Sequence, residues 1–222
     1  MIVEINMFKK KSDIYNLVLI ACAFLLTIVF YNKLPDQVPI HWNSTGEIDG
    51  YGSKIFGGFI APVIMIFTWF GMKYIPNIDP RKKNYEKFEK SYSIIISMLI
   101  TFFLVVHIVT LFAAIGYDVS VDKIIPSMVG LLFIVIGNYM PKSKSNFFYG
   151  IKTPWTISNE VSWKKTHRLG GKLFVASGAI IIVSSFLLEG NTKVAVFLIA
   201  TFITVAVPMV ASYFYAKNYS SK

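Results

Sequence analysis

The sequence predicts an all-α polytopic membrane protein with six transmembrane helices, a short ordered outer loop and a cytoplasmic amphipathic helix. Three observations carry this expectation. The 222 residues are 55% hydrophobic and 15% charged, against about 25% charged in a soluble domain, and mean hydropathy is +0.57. Six apolar runs have the length of a bilayer crossing, which takes roughly 20 helical residues: 14–32, 55–75, 92–115, 123–140, 172–189 and 193–216. None has Asp, Glu, Lys or Arg near its centre. Finally, the basic residues divide by side. Loops on one side hold Lys33, Lys54, Lys123 and Lys193, which leaves eighteen of the 22 Lys and Arg for the other. By the positive-inside rule this places both termini in the cytoplasm of a plasma-membrane protein.

The first run follows Lys9-Lys10-Lys11, as a signal peptide would. It leads into "NKLPDQ" rather than a small-residue cleavage site, and reads as a retained helix. It holds Cys22, the single cysteine, which is expected to be a buried, inert thiol with no disulfide. The outer loop 33–54, "KLPDQVPIHWNSTGEIDGYGSK", combines extended-backbone prolines with the turn signals "NSTG" and "DGYG". It predicts a compact loop or small hairpin with Trp42 and Tyr51 at the membrane interface, a candidate contact surface for a peptide. Pro62 sits inside the second run and Pro208 inside the sixth, where each removes a backbone donor. In the third run, Ser93, Ser97, Thr101 and His107 share about a third of the helix circumference at roughly 100° per residue. An intramembrane His is a functional candidate; the plainer reading is a neutral His bonded to a neighbouring helix. The fourth run carries Ser127, Gly130 and Gly137 on one face, which allows close approach of another helix.

The loop 141–171 is the most polar stretch between apolar runs. Within it, "TPWTISNE" predicts a turn and a helix start, with Thr156 or Ser158 as cap and Glu160 at the positive end of the helix. Trp163, His167 and Gly170 then recur at helical spacing, flanked by Lys164, Lys165 and Arg168. The expectation is a short amphipathic helix at the inner headgroup level, anchored by Trp155 and Trp163 and bending at Gly170-Gly171 into the fifth span. The chain divides into an N-terminal region, 1–122, and a C-terminal region, 123–222, of three spans each.

Several function classes lose support. The net charge of +10 belongs to flanks facing anionic lipid, so no direct nucleic-acid contact is expected. The three His residues lie far apart in sequence, and no HExxH, GxSxG, Walker A or GxGxxG motif occurs; no metal, cofactor or enzymatic activity is expected. Without an intramembrane carboxylate, a proton relay lacks its partner.

Two stretches resemble a known family. "LPDQVPIHWNSTGEIDGYGSK" resembles the extracytoplasmic signature of a domain of unknown function found at the N-terminus of SdpI-like proteins. "GNYMPKSKSNFFYGIKTPWTISNEVSWKKTHRLGGKLF" is similar to the C-terminal signature of the SdpI immunity-protein family. Asn138, Pro141, Asn146, Gly150, Thr153, Pro154, Trp155, Trp163, Thr166, His167, Arg168 and Gly170 match the family pattern. The resemblance implies a bacterial plasma-membrane protein that protects its cell from a secreted toxic peptide. It also implies a receptor role, in which the protein holds a small ArsR-like repressor at the membrane. Residues 150–171 are then expected to form the output surface, with His167 and Arg168 facing the regulator. A small-molecule or peptide transporter is the alternative for the same six helices, and a lipid- or envelope-associated enzyme stands third.

Overall fold

The computed structural model describes residues 11–220; Lys9, Lys10 and Lys222, counted above with the basic face, lie outside the described residues. Among the described residues, six helices are long and apolar enough to cross a membrane. In hydrocarbon no water satisfies backbone N–H and C=O groups, so a spanning segment must pair its own, as a helix does. The first span is α1 (Lys11–Phe30), extended by a 3-10 turn at Tyr31–Lys33. Strands β1 (Gln37–Trp42) and β2 (Ile48–Ser53) follow, then α2 (Lys54–Ile78). A 3-10 segment, Lys82–Phe88, leads into α3 (Glu89–Ala114). After α4 (Val121–Tyr139) come the short α5 (Pro154–Ser158), then α6 (Glu160–Leu187) and α7 (Gly190–Ser220).

The outer loop is a two-stranded antiparallel hairpin, with irregular register at Pro39–Trp42. Its turn is closed by the Asn43 side chain, whose Oδ1 accepts from the backbone N–H of Thr45 (2.9 Å) and of Glu47 (3.0 Å). Gly46, at φ +86°, supplies the left-handed residue. The hairpin is seated rather than free. Val38 is fully buried with Leu34 and Leu111, and Gly57 of α2 leaves the space that Val38 occupies.

Two modes of packing hold the bundle. Helices α1, α2 and α3 enclose large side chains, including Ile20, Met65, Trp69, Phe88, Tyr92 and Ile100. Helices α4 and α6 meet through glycines. A Cβ added to Gly130 would lie 2.7 Å from the Gly178 carbonyl, and one added to Gly137 would lie 2.6 Å from the Gly171 carbonyl. The expected small-residue face of α4 therefore has its partner in α6, and the backbones touch where side chains are absent. Hydroxyls join α6 to α7: Thr204 donates to Ser177 Oγ (2.6 Å), and Ser177 to the Ala200 carbonyl (3.2 Å).

Three expectations are corrected here. No separate short helix ends at Gly170-Gly171; α6 runs unbroken through them for 28 residues. Those glycines serve close approach, because a Cβ at Gly170 would meet Ile151 at 2.5 Å and one at Gly171 would meet Pro141 at 2.8 Å. The helix caps are Thr153 for α5 and Asn159 for α6, while Thr156 completes the capping box begun by Thr153. Cys22 is exposed. The buried positions of α1 are Asp13, Asn16, Ile20, Ala23 and Thr27, a stripe at helical spacing that Cys22 misses.

Candidate functional site

Polar chemistry collects at the two opposite ends of the bundle. One end, here the basic end, holds the start of α1, the segment 79–88, the loop 140–160 and the end of α7. At its centre is the buried Asp79, which accepts from the backbone N–H of Arg81 (2.7 Å) and of Phe147 (2.8 Å). The Tyr85 hydroxyl lies 3.1 Å from both Asp79 Oδ2 and Asn146 Oδ1. Asn146, fully buried, also accepts from the N–H groups of Phe148 (3.0 Å) and Tyr149 (2.6 Å) and donates to the Lys144 carbonyl (2.8 Å). Arg81 donates to Ser145 Oγ and to the Ile157 carbonyl (3.0 Å), and its guanidinium lies 5.0 Å from the Phe147 ring centroid. Asn84 adds a bond to the Ser145 carbonyl (2.8 Å). This clasp fastens the segment between α2 and α3 to the loop between α4 and α5. Tyr149 packs between Phe88 and Tyr92. Burial, with Tyr92 beside it, holds its phenol above the ordinary tyrosine range.

Beside the clasp, His167 works as a bolt. Its Nδ1 lies 2.7 Å from the Trp163 carbonyl and must donate there, because a carbonyl only accepts. Its Nε2 is then free to accept from the Ile151 N–H at 3.0 Å. Both nitrogens of a neutral imidazole are used, and one tautomer is selected. Gly150 is forced twice: its φ is +109°, and a Cβ there would overlap His167 Nε2. Trp163, 1% exposed, stacks on the His167 ring at 4.0 Å and donates from Nε1 to the Ser143 carbonyl (3.2 Å). Trp163 is therefore an internal packing residue and not an interfacial anchor, and the His167 side chain does not reach the surface. Thr153 is buried too, bonded to Ser212 of α7 at 2.9 Å. At this end the exposed members of the predicted set are Pro154 at the start of α5, Arg168, and Trp155, 38% exposed and edge-on to Tyr213.

His107 is fully buried, with Nε2 3.1 Å from the Ala23 carbonyl and 3.0 Å from Thr27 Oγ1. Thr27 in turn donates to the Gly58 carbonyl at 2.7 Å. His107 thus ties α3 to α1 and α2 as a bonded neighbour. It parts from Ser93, Ser97 and Thr101, which line an open groove between α1 and α3; Thr101 bonds to Tyr15 there at 2.9 Å.

The other end, the hairpin end, is built differently. Under the hairpin lies a cavity of about 420 Å³, bounded by Ile40–Ser44 and Gly46 above and by α3, α4, α6 and α7 around it. Val106, Val109, Ile125, Ile181, Val194 and Phe197 make it apolar. Its polar lining includes Asn43, Ser44, Thr110 and Ser184, together with an ion pair. Lys193, 5% exposed, donates from Nζ to Asp122 Oδ2 at 2.6 Å and to the Asp122 carbonyl at 3.2 Å. Trp42 is half-buried and lines this cavity. Tyr51 is 54% exposed, at the base of the hairpin opposite Pro39, so the structure does not bring the two aromatics together. His41 pairs with Asp49 on the exposed face at 2.5 Å. Among the described residues, no three His, Cys, Asp or Glu cluster closely enough to hold a metal ion.

Sequence reasoning did not select Asp79, Arg81, Tyr85, Asp122 or Lys193. The signal for Asp79 was one acid beside "PRKK". For Asp122 and Lys193 it was a charge at each of two helix starts, which reads equally well as a solvated flank.

Comparison with known proteins covers both ends. Residues 18–66, from α1 through the hairpin into α2, match a domain of unknown function (DUF1648). Residues 142–215, from the clasp loop through most of α7, match the SdpI/YfhL protein family. The chain is 32% identical over 210 residues to "Immunity protein SdpI" of Bacillus subtilis (strain 168), which covers 94% of this chain and 97% of that protein. It is 41% identical over 51 residues to "Uncharacterized membrane protein YbgB" of the same organism, covering 22% of this chain and 56% of that protein. No solved structure matches the chain.

Proposed function

The chain belongs to the SdpI/YfhL protein family as a multi-pass membrane protein, and from that premise we propose that it is an immunity protein of the bacterial plasma membrane. In this reading it protects its cell from a secreted toxic peptide by binding, without catalysis or cofactor. The observation that carries the proposal is the 32% identity to the immunity protein SdpI across nearly the full length of both chains. The match includes the hairpin end and the basic end alike, so the likeness is not that of one shared motif.

The orientation belongs to the same proposal. With most Lys and Arg at the basic end, that end faces the cytoplasm and the hairpin faces the toxin. A small cytoplasmic repressor would meet the exposed part of the basic end, namely Pro154, Trp155, Lys164 and Arg168. Arg168 offers a planar fork to a carboxylate. A toxin outside alters this surface only by binding two helix arrangements unequally.

The test is expression in a strain sensitive to a secreted membrane-active peptide, followed by challenge. Survival that depends on the chain supports the reading; equal killing with and without it, at verified membrane abundance, removes it. In a Cys22→Ser background, Cys introduced at Ser44 labels with a membrane-impermeant thiol reagent on intact cells, and Cys at Ser158 does not. The reverse pattern overturns the orientation.

A further inference from the structure

We propose that the chamber under the hairpin is a binding site for an apolar peptide segment, whose main chain is held by the Asp122–Lys193 pair. The proposal rests on the immunity reading only for the identity of the natural ligand. The argument begins with unused valence. The Lys193 ammonium carries three hydrogens, and two find acceptors, Asp122 Oδ2 and the Asp122 carbonyl. The other carboxylate oxygen, Asp122 Oδ1, has no hydrogen-bond partner among the described residues, and the side chain is 21% exposed. One donor and one acceptor therefore remain, side by side, in a chamber walled by Val109, Ile125, Ile181 and Phe197.

The pair carries no net charge, and this selects among ligands. An added anion would meet Asp122 as closely as Lys193, and an added cation would meet the reverse. A peptide group has one N–H and one C=O and no charge. It satisfies Asp122 Oδ1 and the third Lys193 hydrogen together, and in apolar surroundings both bonds are strengthened. Its side chains then fill a space of about 420 Å³, within the usual range for ligand sites, roughly 300–1,000 Å³. An alkyl chain fills the same volume but leaves the pair unused.

The roof is coupled to the pair. Gly46, at the hairpin turn, sits so close to Asp122 that an added Cβ would lie 2.9 Å from the Asp122 Cβ. Trp42 lines the chamber from the same strand arm, giving a bound segment an aromatic wall. Ligand, hairpin and the α4 start therefore share one contact region.

The experiment uses the purified full-length protein in lipid nanodiscs and a blocked photoreactive tripeptide, N-acetyl-Leu-(benzoyl-Phe)-Leu methylamide, with crosslinks mapped by mass spectrometry. Labelling is expected on the hairpin-end segments of α4 and α7 and is competed by N-acetyl-trileucine methylamide. N-methylation of the competitor's central amide is expected to weaken competition about tenfold or more, as is the Asp122→Asn/Lys193→Met double variant, which leaves no unpaired charge. Val194→Trp, which fills the chamber and keeps the pair, is expected to abolish labelling. Labelling elsewhere, undiminished labelling of Val194→Trp, or equal competition by the N-methylated peptide or by a simple alkyl amide overturns the proposal. Labelling as expected in a chain that protects against no toxic peptide leaves this site standing and removes the immunity reading; protection without labelling does the opposite.

Discussion

The basic end and the hairpin end both gather aromatic and polar side chains, but they use them differently. At the basic end, Asp79, Arg81, Tyr85, Asn146 and His167 spend their hydrogen-bonding capacity on one another and on backbone. Toward this end the buried atoms left without a partner are the hydroxyls of Ser143, Tyr149 and Thr166, with Asn16 Oδ1 in α1 and Trp69 Nε1 in α2. At the hairpin end, the Asp122–Lys193 pair borders a cavity with capacity left over. A network that ties many elements to one another holds a structure in one arrangement, whereas a single ion pair beside open volume has room for a ligand. The richer motif is therefore the framework, and the sparser region is the place to look for binding. Variants at the basic end should act through protein abundance, and variants at the hairpin end through protection.

The largest effect is expected at Gly150. Gly150→Val forces a β-branched residue into φ +109° and onto His167. Strained backbone alone costs about 1–3 kcal/mol, and the overlap adds to it, so the variant is expected to be absent from membrane fractions. Normal abundance would show that the bolt is dispensable. His167→Ala comes next. It empties a fully buried site and leaves the Ile151 N–H without its acceptor, a loss of about 2–4 kcal/mol. Thermal unfolding in detergent should show it, and any loss of protection should track the loss of folded protein. Tyr85→Phe removes one hydroxyl shared by Asp79 and Asn146, at about 1 kcal/mol; no shift in the same melt would place the strength of the clasp in Arg81.

Arg168→Ala is the smallest. The side chain is exposed, so stability should change by no more than about 0.5 kcal/mol. If a repressor docks at this end, its recovery with the membrane fraction falls in Arg168→Ala while protection remains. A large drop in stability would instead make Arg168 part of the framework.

The spans, the hairpin and the glycine face of α4 were legible because each rests on a strong local rule: apolar length, turn chemistry, and small residues at helical spacing. The inward faces were not. Lipid is as apolar as a core, so hydrophobic periodicity loses its contrast: the buried stripe of α1 includes Asp13, Asn16 and Thr27 beside Ile20 and Ala23, while many of its other apolar residues face outward. Cys22 was misplaced for that reason. Trp163 flanked by lysines fits an interfacial belt and an internal stack equally well, and only the fold brings Ser143 and His167 beside it. Likewise, glycines at 170 and 171 read as a hinge until the loop and α4 packed against them are known. The clasp joins residues more than 60 positions apart, beyond any local pattern. Of the predicted contact residues, Trp42 lines the chamber proposed above as a binding site.

Trp42 therefore provides the most direct measurement. Cells sensitive to a toxic peptide, expressing either the unaltered chain or Trp42→Ala at matched membrane abundance, are titrated with the peptide. An aromatic anchor at the centre of a contact contributes about 2 kcal/mol or more. Trp42→Ala is expected to lower the peptide concentration tolerated by about tenfold or more, while Arg168→Ala tolerates the unaltered dose. If Trp42→Ala protects as well as the unaltered chain and Arg168→Ala does not, the binding end has been assigned to the wrong side of the membrane.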